Sequence, residues 1–364
     1  MRVVIAPDKF AGTLTAVEAA EAIARGWRRR APADECVAVP MSDGGPGFVD
    51  VLHAALGGEL VATTVPDPYG APVPATLLRV GETAYIEAAQ AVGLQLTAPE
   101  DRRPGRASSA GAGRLVAAAL ETGAERIVLG LGGSATNDGG AGLLAALGAT
   151  CSGGSLLQGP DGLEGVGAVD LAEARQRVAG VSVVAATDVE NPLLGLLGAT
   201  KIFGPQKGIP EELLLDVDGR LQRLAELTDR RLADAKGAGA AGGLGFALLL
   251  LGATRRSGVE MVADAVGLGE VMRGADLAIT GEGAFDFSSR AGKVVHGVAQ
   301  RAEAALLACV VLAGRVDVGA REMRAMGVES AYSMSELLGP ERSLASPGQA
   351  LGDLAERVAR TWSR

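Results

Sequence analysis

The sequence predicts a parallel α/β protein, and three observations carry that reading. Short β-branched runs recur along the chain, each followed by a glycine- or carboxylate-bearing loop and then by a stretch with helical period, the order of a parallel sheet with crossover helices. Glycine supplies 53 of the 364 residues, about twice the ~7% share of an average chain, so loops with unusual backbone angles are expected. The longest apolar stretches, 246–251 and 306–313, fall far short of the ~18 residues that read as a membrane span.

Residues 2–6 read as a buried strand. A helix follows over 15–30: Thr15 and Glu18 are spaced as a capping box, Ala16, Ala20, Ile23 and Trp27 share one face, and Arg28, Arg29 and Arg30 sit at the negative end of its dipole. Pro32 stops it. A strand over 37–41 and a short helix over 48–56, closed by Gly57 and Gly58, come next. Between 59 and 87 the composition changes to short alternating runs broken by Pro66, Pro68, Gly70, Pro72 and Pro74, a candidate domain boundary. From Ser109 the α/β rhythm resumes with a helix to Glu121, a stop at Gly123 and a strand over 127–130. Further strands are expected at 181–186, 277–280 and 309–313, a long helical stretch at 210–236 that Gly219 interrupts, and an amphipathic closing helix at 349–362.

Composition excludes several functions. A formal charge of −9 opposes neutralisation of a phosphate backbone, and only 11 aromatic residues leave few stacking platforms, so nucleic acid is not an expected partner. Cys36, Cys151 and Cys309 form neither a Cys-x-x-Cys pair nor a disulfide framework, and two histidines, His53 and His296, make a His cluster or a His-centred triad a poor reading. The opening MRVVIAPDK lacks the hydrophobic region of a cleavable signal. A cytoplasmic protein with no membrane partner, monomer or homodimer, is expected.

In open α/β sheets, ligands bind outside the carboxyl ends of the strands. Here Asp8, Asp43, Asp138, Asp188, Glu282 and Asp317 each follow an expected strand. Such a rim carries mutual repulsion unless cations lie among the carboxylates, which points to Mg2+ and to anionic substrate groups held by Lys or Arg. A second signal is Leu131-Gly-Gly-Ser-Ala-Thr-Asn-Asp-Gly-Gly140, between a strand and the helical run 141–147. Its backbone N–H groups and the hydroxyls of Ser134 and Thr136 suit a phosphate near a helix N-terminus. A third is Thr187-Asp-Val-Glu-Asn-Pro192 with Phe203-Gly-Pro-Gln-Lys-Gly208, which offers a carboxylate, an amide and Lys207. The Gly-x-Gly-x-x-Gly of Gly237 to Gly242 follows a helix and so fails the context of a dinucleotide fingerprint.

Taken in order, Gly132-Gly-Ser-Ala-Thr-Asn-Asp-Gly-Gly-Ala-Gly142, Ala186-Thr-Asp-Val with Asn191-Pro192-Leu193, Gly204-Pro-Gln-Lys-Gly208, Gly237 to Gly245, and Thr280-Gly-Glu-Gly283 with Asp286 and Gly292-Lys293 resemble the type-1 glycerate kinase family over nearly the whole chain. The resemblance implies transfer of the γ-phosphoryl of ATP, with Mg2+, to a hydroxyl of glycerate. It also implies a Rossmann-like α/β domain, here 1–64 plus 259–364, with a second α/β domain, here 65–258, inserted and carrying the glycine-rich loop. The sequence departs from the family's pattern at Ala11, where Lys is common, at Pro46, where Glu is common, and at Ala284 and Val295.

Phosphoryl transfer is mainly positioning and charge neutralisation, with a base for the acceptor's proton. The resulting assignment puts Gly132, Gly133, Ser134, Thr136, Asn137 and Gly139 on ATP phosphates, Lys207 and Lys293 against developing charge, and Asp138 or Asp188 at Mg2+. Asp8 or Asp43 lies near the acceptor, with Lys9, Asn191 and Glu282 among the acceptor-binding residues. Rival readings are a kinase of a related hydroxy acid, a non-catalytic sugar-acid sensor, and an NAD-dependent dehydrogenase. The last wants a glycine fingerprint after the first strand, where Ala6-Pro-Asp-Lys has none.

Overall fold

The computed structural model describes residues 1–290 and 293–363; Gly292 of the last motif lies outside them. The chain divides into two compact units, Met1–Asp43 with Asp50–Leu56 and Ser257–Arg364, and Gly44–Val49 with Gly57–Arg256.

The first unit is built on a five-stranded, wholly parallel sheet in the order Ser330–Ser333, Ala308–Val316, Leu277–Phe285, Arg2–Ile5, Glu35–Ala38. Val3, Val4 and Ile5 are fully buried, the continuous apolar run that helices on both faces of a parallel sheet demand. Helix Ala16–Arg30 begins with the expected capping box: the Glu18 N–H donates to Thr15 Oγ1 while the Thr15 N–H donates to the Glu18 carboxylate. It packs against helix Pro347–Trp362. At their crossing, a Cβ on Gly26 would stand 2.0 Å from the Gly352 carbonyl oxygen, so only glycine permits the approach.

The second unit holds a six-stranded sheet. Thr254–Arg256, Ser182–Ala186, Arg126–Gly130 and Thr83–Glu87 run parallel, and Pro72–Val80 and Glu59–Pro66 continue the sheet antiparallel. The proline-rich break is thus a hairpin at the sheet's edge. Pro72 and Pro74 are tolerated because strand Pro72–Val80 meets Thr83–Glu87 only from Leu78 onward. A small antiparallel pair, Thr150–Ser152 with Ala168–Asp170, carries no periodic signal in the sequence.

The α/β class agrees with the sequence; several bounds do not. Strands Leu277–Phe285 and Ala308–Val316 run past their expected ends, so Glu282 lies inside a strand, opposite Ala313, rather than in a loop after it. The stretch 210–236 holds one α-helix, Leu214–Leu227, flanked by short 3-10 turns. Of the stripe expected at Leu213, Leu214, Val217, Leu221, Leu224 and Leu227, Leu214, Val217, Leu221 and Leu224 are buried, Leu227 is half-buried and Leu213, ahead of the helix, is exposed. Gly219 does not interrupt it; its missing side chain faces open space. No helix among the described residues is long and apolar enough to cross a membrane.

Candidate functional site

In the first unit, the carboxyl end of strand Arg2–Ile5 is held to its neighbour by backbone bonds from Ala6 to Ile279 and from Asp8 to Gly281, at 2.7 and 2.8 Å. That clamp fixes Asp8. Its Oδ1 accepts the N–H of Lys9 at 2.7 Å, and the Lys9 ammonium lies 3.7 Å from Asp8 and 3.6 Å from Asp43. Asp8, Lys9 and Asp43, separated in the sequence, therefore meet. Asp8 is 7% exposed. Burial pushes its carboxyl up to about 7; Lys9 opposes the shift, and the charges of Asp43 and Glu282 add to it. Glu282 is likewise buried and pushed up, chiefly by desolvation, with Ser289 and Lys293 favouring its ionised form. Its Oε1 has no hydrogen-bond partner among the described residues. Buried acceptors without a partner are uncommon in folded proteins.

In the second unit, the glycine-rich loop leaves the carboxyl end of Arg126–Gly130 and runs into helix Ala141–Ala146. It is not the open cradle the sequence suggests. Ser134, Thr136, Asn137 and Asp138 are buried, and from Gly132 to Gly140 only Gly133 is exposed. The glycines serve close packing: a Cβ on Gly132 would stand 2.6 Å from Gly45 Cα, and one on Gly140 2.3 Å from Ala247 Cβ. Gly139, at φ +68°, fits beneath Leu221 and Leu224.

Asp138 is buried inside the loop. Its Oδ2 accepts the N–H and hydroxyl of Ser109, each at 2.8 Å, and the N–H of Gly142 at 3.2 Å; its Oδ1 accepts the N–H of Gly140 at 2.9 Å. This fully buried carboxylate, with three donors on Oδ2 and one on Oδ1, anchors the loop and the N-terminus of the following helix. Burial pushes it up and these bonds oppose the shift.

Lys207 is buried against the same loop. Its ammonium donates to Thr136 O at 2.6 Å and Ser134 Oγ at 3.1 Å, and the residue is only 3% exposed. Desolvation pulls it down to about 7, against the attraction of Asp138. The lysine pins the loop to the Gly204–Gly208 turn. Asn137 donates to Thr200 Oγ1 at 2.9 Å, while its Oδ1 and the Thr136 hydroxyl are buried without partners among the described residues. The Gly237–Gly245 segment closes over this loop: Ala241, Gly242 and Gly243 all take positive φ, and the Gly139 N–H donates to Gly242 O.

Asp188 lies two residues beyond Ala186, whose strand pairs with Gly130, so it stands at the same sheet edge as the loop, half-buried. Asn191 spends its amide on Leu197 O at 2.8 Å, shaping its own loop. Among the described residues no group of three or more His, Cys, Asp or Glu side chains gathers as a metal site. Sequence reasoning missed Glu87 and Ser109. Glu87 closes strand Thr83–Glu87, accepts the Gly47 N–H at 2.9 Å and was findable by the rule that located the other strand-end acids. Ser109 had no signal.

The comparisons with known proteins agree with one another. The description of the glycerate kinase family matches residues 3–363. The glycerate 2-kinase of Escherichia coli (strain K12) is 40% identical over 349 residues, 93% of this chain and 92% of that protein. The glycerate kinase of Bacillus subtilis (strain 168) is 39% identical over 344 residues, 92% and 90% of the two. A crystal structure described as glycerate kinase 2 from Salmonella typhimurium LT2 superposes with a TM-score of 0.82 at 38% identity, covering 99% of this chain and 98% of that one. The chain belongs to the glycerate kinase family.

Proposed function

We propose that this protein phosphorylates glycerate with ATP as donor, in the type-1 branch of its family. The observation that carries the reading is the family match, which runs from residue 3 to residue 363. The motif order from Gly132 to Lys293 supports the type-1 placement. The relative in Escherichia coli is called a glycerate 2-kinase, and we assign the 2-hydroxyl as acceptor on that analogy.

Asp8 is the base. A carboxyl near 7 is matched to taking a proton from a hydroxyl at neutral pH, and the adjacent Lys9 ammonium suits the carboxylate of the acid substrate. Asp43 holds Lys9 from the other side, and the unpartnered Glu282 Oε1 accepts a substrate hydroxyl. In the second unit, the exposed Gly133 edge receives donor phosphates, with Ser134, Thr136, Asn137 and Gly139 fixing its shape rather than touching the ligand. Lys207 acts as a positioning residue, Asn191 orders the loop after Asp188, and Lys293 tempers the acidic group around Glu282.

Mg2+ needs only one or two carboxylates when phosphate oxygens complete its shell, which fits a chain whose described residues gather no larger acidic set. Asp188, half-buried at the sheet edge, would hold it, whereas Asp138 is fully buried and committed to Ser109, Gly140 and Gly142. Bound there, the ion would neutralise charge on the phosphate oxygens. We assign the protein to the cytoplasm. NMR analysis of the product from ATP, Mg2+ and D-glycerate tests the reading: 2-phosphoglycerate is expected, 3-phosphoglycerate alone would refute the position, and no phosphoester would refute the activity.

A further inference from the structure

A cleft of the second unit, about 700 Å³, is walled by Pro66, Pro68, Tyr69 and Leu96 and edged by Arg103 and Arg106. We propose that this cleft seats the nucleoside and a phosphate of the donor, a placement that rests on the kinase reading above.

Four observations converge on a nucleoside phosphate. The first is charge: Arg103 and Arg106 are exposed, and among the described residues neither guanidinium has a carboxylate within ion-pair distance. Two unpaired guanidiniums at one mouth suit a phosphate, which they can grip through paired N–H groups. The second is the lining. Proline, leucine and tyrosine surfaces supply an apolar slot for a flat base, in a protein with very few aromatic rings elsewhere. The Tyr69 hydroxyl accepts the Arg103 backbone N–H at 3.0 Å, which fixes the ring against the arginine loop.

The third is the pair of acids. Asp67 Oδ1 accepts the N–H groups of Tyr69 and Ala71 at 2.8 and 2.9 Å, locking the turn and the carboxylate's orientation. Its other oxygen has no partner among the described residues, and Asp101 stands exposed on the opposite side. Oriented carboxylates beside a base slot are acceptors for ribose hydroxyls. A three-carbon acid has no base to fill the slot and would leave most of the volume to water.

The fourth is continuity with the phosphate-facing loop. Leu94 N–H donates to Gly133 O at 2.8 Å, Ala135 N–H to Val92 O at 2.7 Å, and Gly93 pairs with Ser134. The cleft wall Leu96–Ala98 begins two residues beyond Leu94. The Arg102 guanidinium ties this segment to the lysine turn through Leu94 O and Gln206 O at 3.3 and 3.4 Å. The cleft and the exposed Gly133 edge are therefore two ends of one hydrogen-bonded piece. Helix Ala110–Glu121 also starts at the cleft, with Ser108 and Ala110 in its lining, adding the positive end of its dipole.

The test is the double variant Arg103→Ala/Arg106→Ala in the full chain, with ADP as binding probe. Both residues are exposed and unpaired, so the thermal midpoint should hold within about 2 °C. The dissociation constant for ADP and the KM for ATP should each rise about tenfold or more, while the KM for glycerate stays within about twofold. An ADP constant within about twofold of the parent overturns the proposal, as does a variant that loses inorganic phosphate binding yet keeps ADP. A parent enzyme that forms no phosphoester from glycerate but binds ADP through these arginines refutes the kinase reading and leaves the cleft assignment standing. Parent turnover that survives unchanged in the double variant refutes the cleft alone.

Discussion

The Lys207 ammonium lies 2.6 Å from the Thr136 carbonyl oxygen, 71 residues away in sequence and almost wholly shielded from water. A lysine in that position is more easily neutral than in the unfolded chain, and its charge is drawn down to about 7 from 10.5. Between those values the unfolded chain binds more protons, so this group makes stability rise with pH from about 7 to about 10.5. Lys207→Met, of similar length and never charged, should flatten that rise. Urea unfolding of parent and variant at pH 7 and pH 9 measures the difference; equal slopes in both would show the lysine to be hydrated.

Asp8 acts in the adjacent window with the opposite sign. Its folded carboxyl keeps a proton to about 7, whereas the unfolded one releases it near 3.8, so its contribution falls as pH rises between those values. Under the proposed function the same group governs turnover. Asp8→Asn should reduce kcat by about 10²- to 10⁴-fold and leave the circular dichroism spectrum unchanged. In the parent, kcat/KM should drop on the acid side with an apparent pKa near 7 set by Asp8. An acid limb that persists in the variant would assign it to another group.

Asp138→Ala leaves the N–H groups of Ser109, Gly140 and Gly142 and the Ser109 hydroxyl without their acceptor. Each unsatisfied buried donor costs about 1–3 kcal/mol, so a loss of at least about 3 kcal/mol and a thermal midpoint lower by about 6 °C or more are expected, with or without Mg2+. A variant of parental thermal stability that has lost Mg2+ affinity would restore Asp138 to the metal.

Gly242→Ala should be poorly tolerated. Residue 242 has φ +70°, and the added Cβ would meet Thr136 O at 1.9 Å and the Lys207 ammonium at 2.8 Å. A lower thermal midpoint and weaker nucleotide binding are expected together, because the substitution pushes on the two atoms that pin the loop. Differential scanning calorimetry with and without ADP measures both. Gly219→Ala, in open space on a helix, is the control and should stabilise by about 0.5–1 kcal/mol.

The parallel sheets, the capped first helix and the meeting of Asp8, Lys9 and Asp43 were legible because each depends on local pattern or on the strand-end rule. What the loop's buried side chains do was not. Asp138 finds Ser109 at a separation of 29 residues, and Lys207 finds Thr136 at 71; no spacing encodes a partner that tertiary packing delivers. Gly132 and Gly140, read as part of a phosphate cradle, also sit at close backbone approaches, since both needs select the same residue. The cleft was hidden for a similar reason: Tyr69, Leu96 and Arg103 come from separate irregular segments whose composition is that of ordinary loops.

The most direct measurement follows ADP release by purified protein supplied with ATP and Mg2+, with and without D-glycerate, for the parent and for Asp8→Asn. ADP should form only when glycerate is present, at about 1–10³ per second for the parent and at least about a hundredfold more slowly for the variant. ADP release indifferent to glycerate, or absent altogether from a folded parent protein that binds ATP, would contradict the assignment of this chain as a glycerate-phosphorylating enzyme.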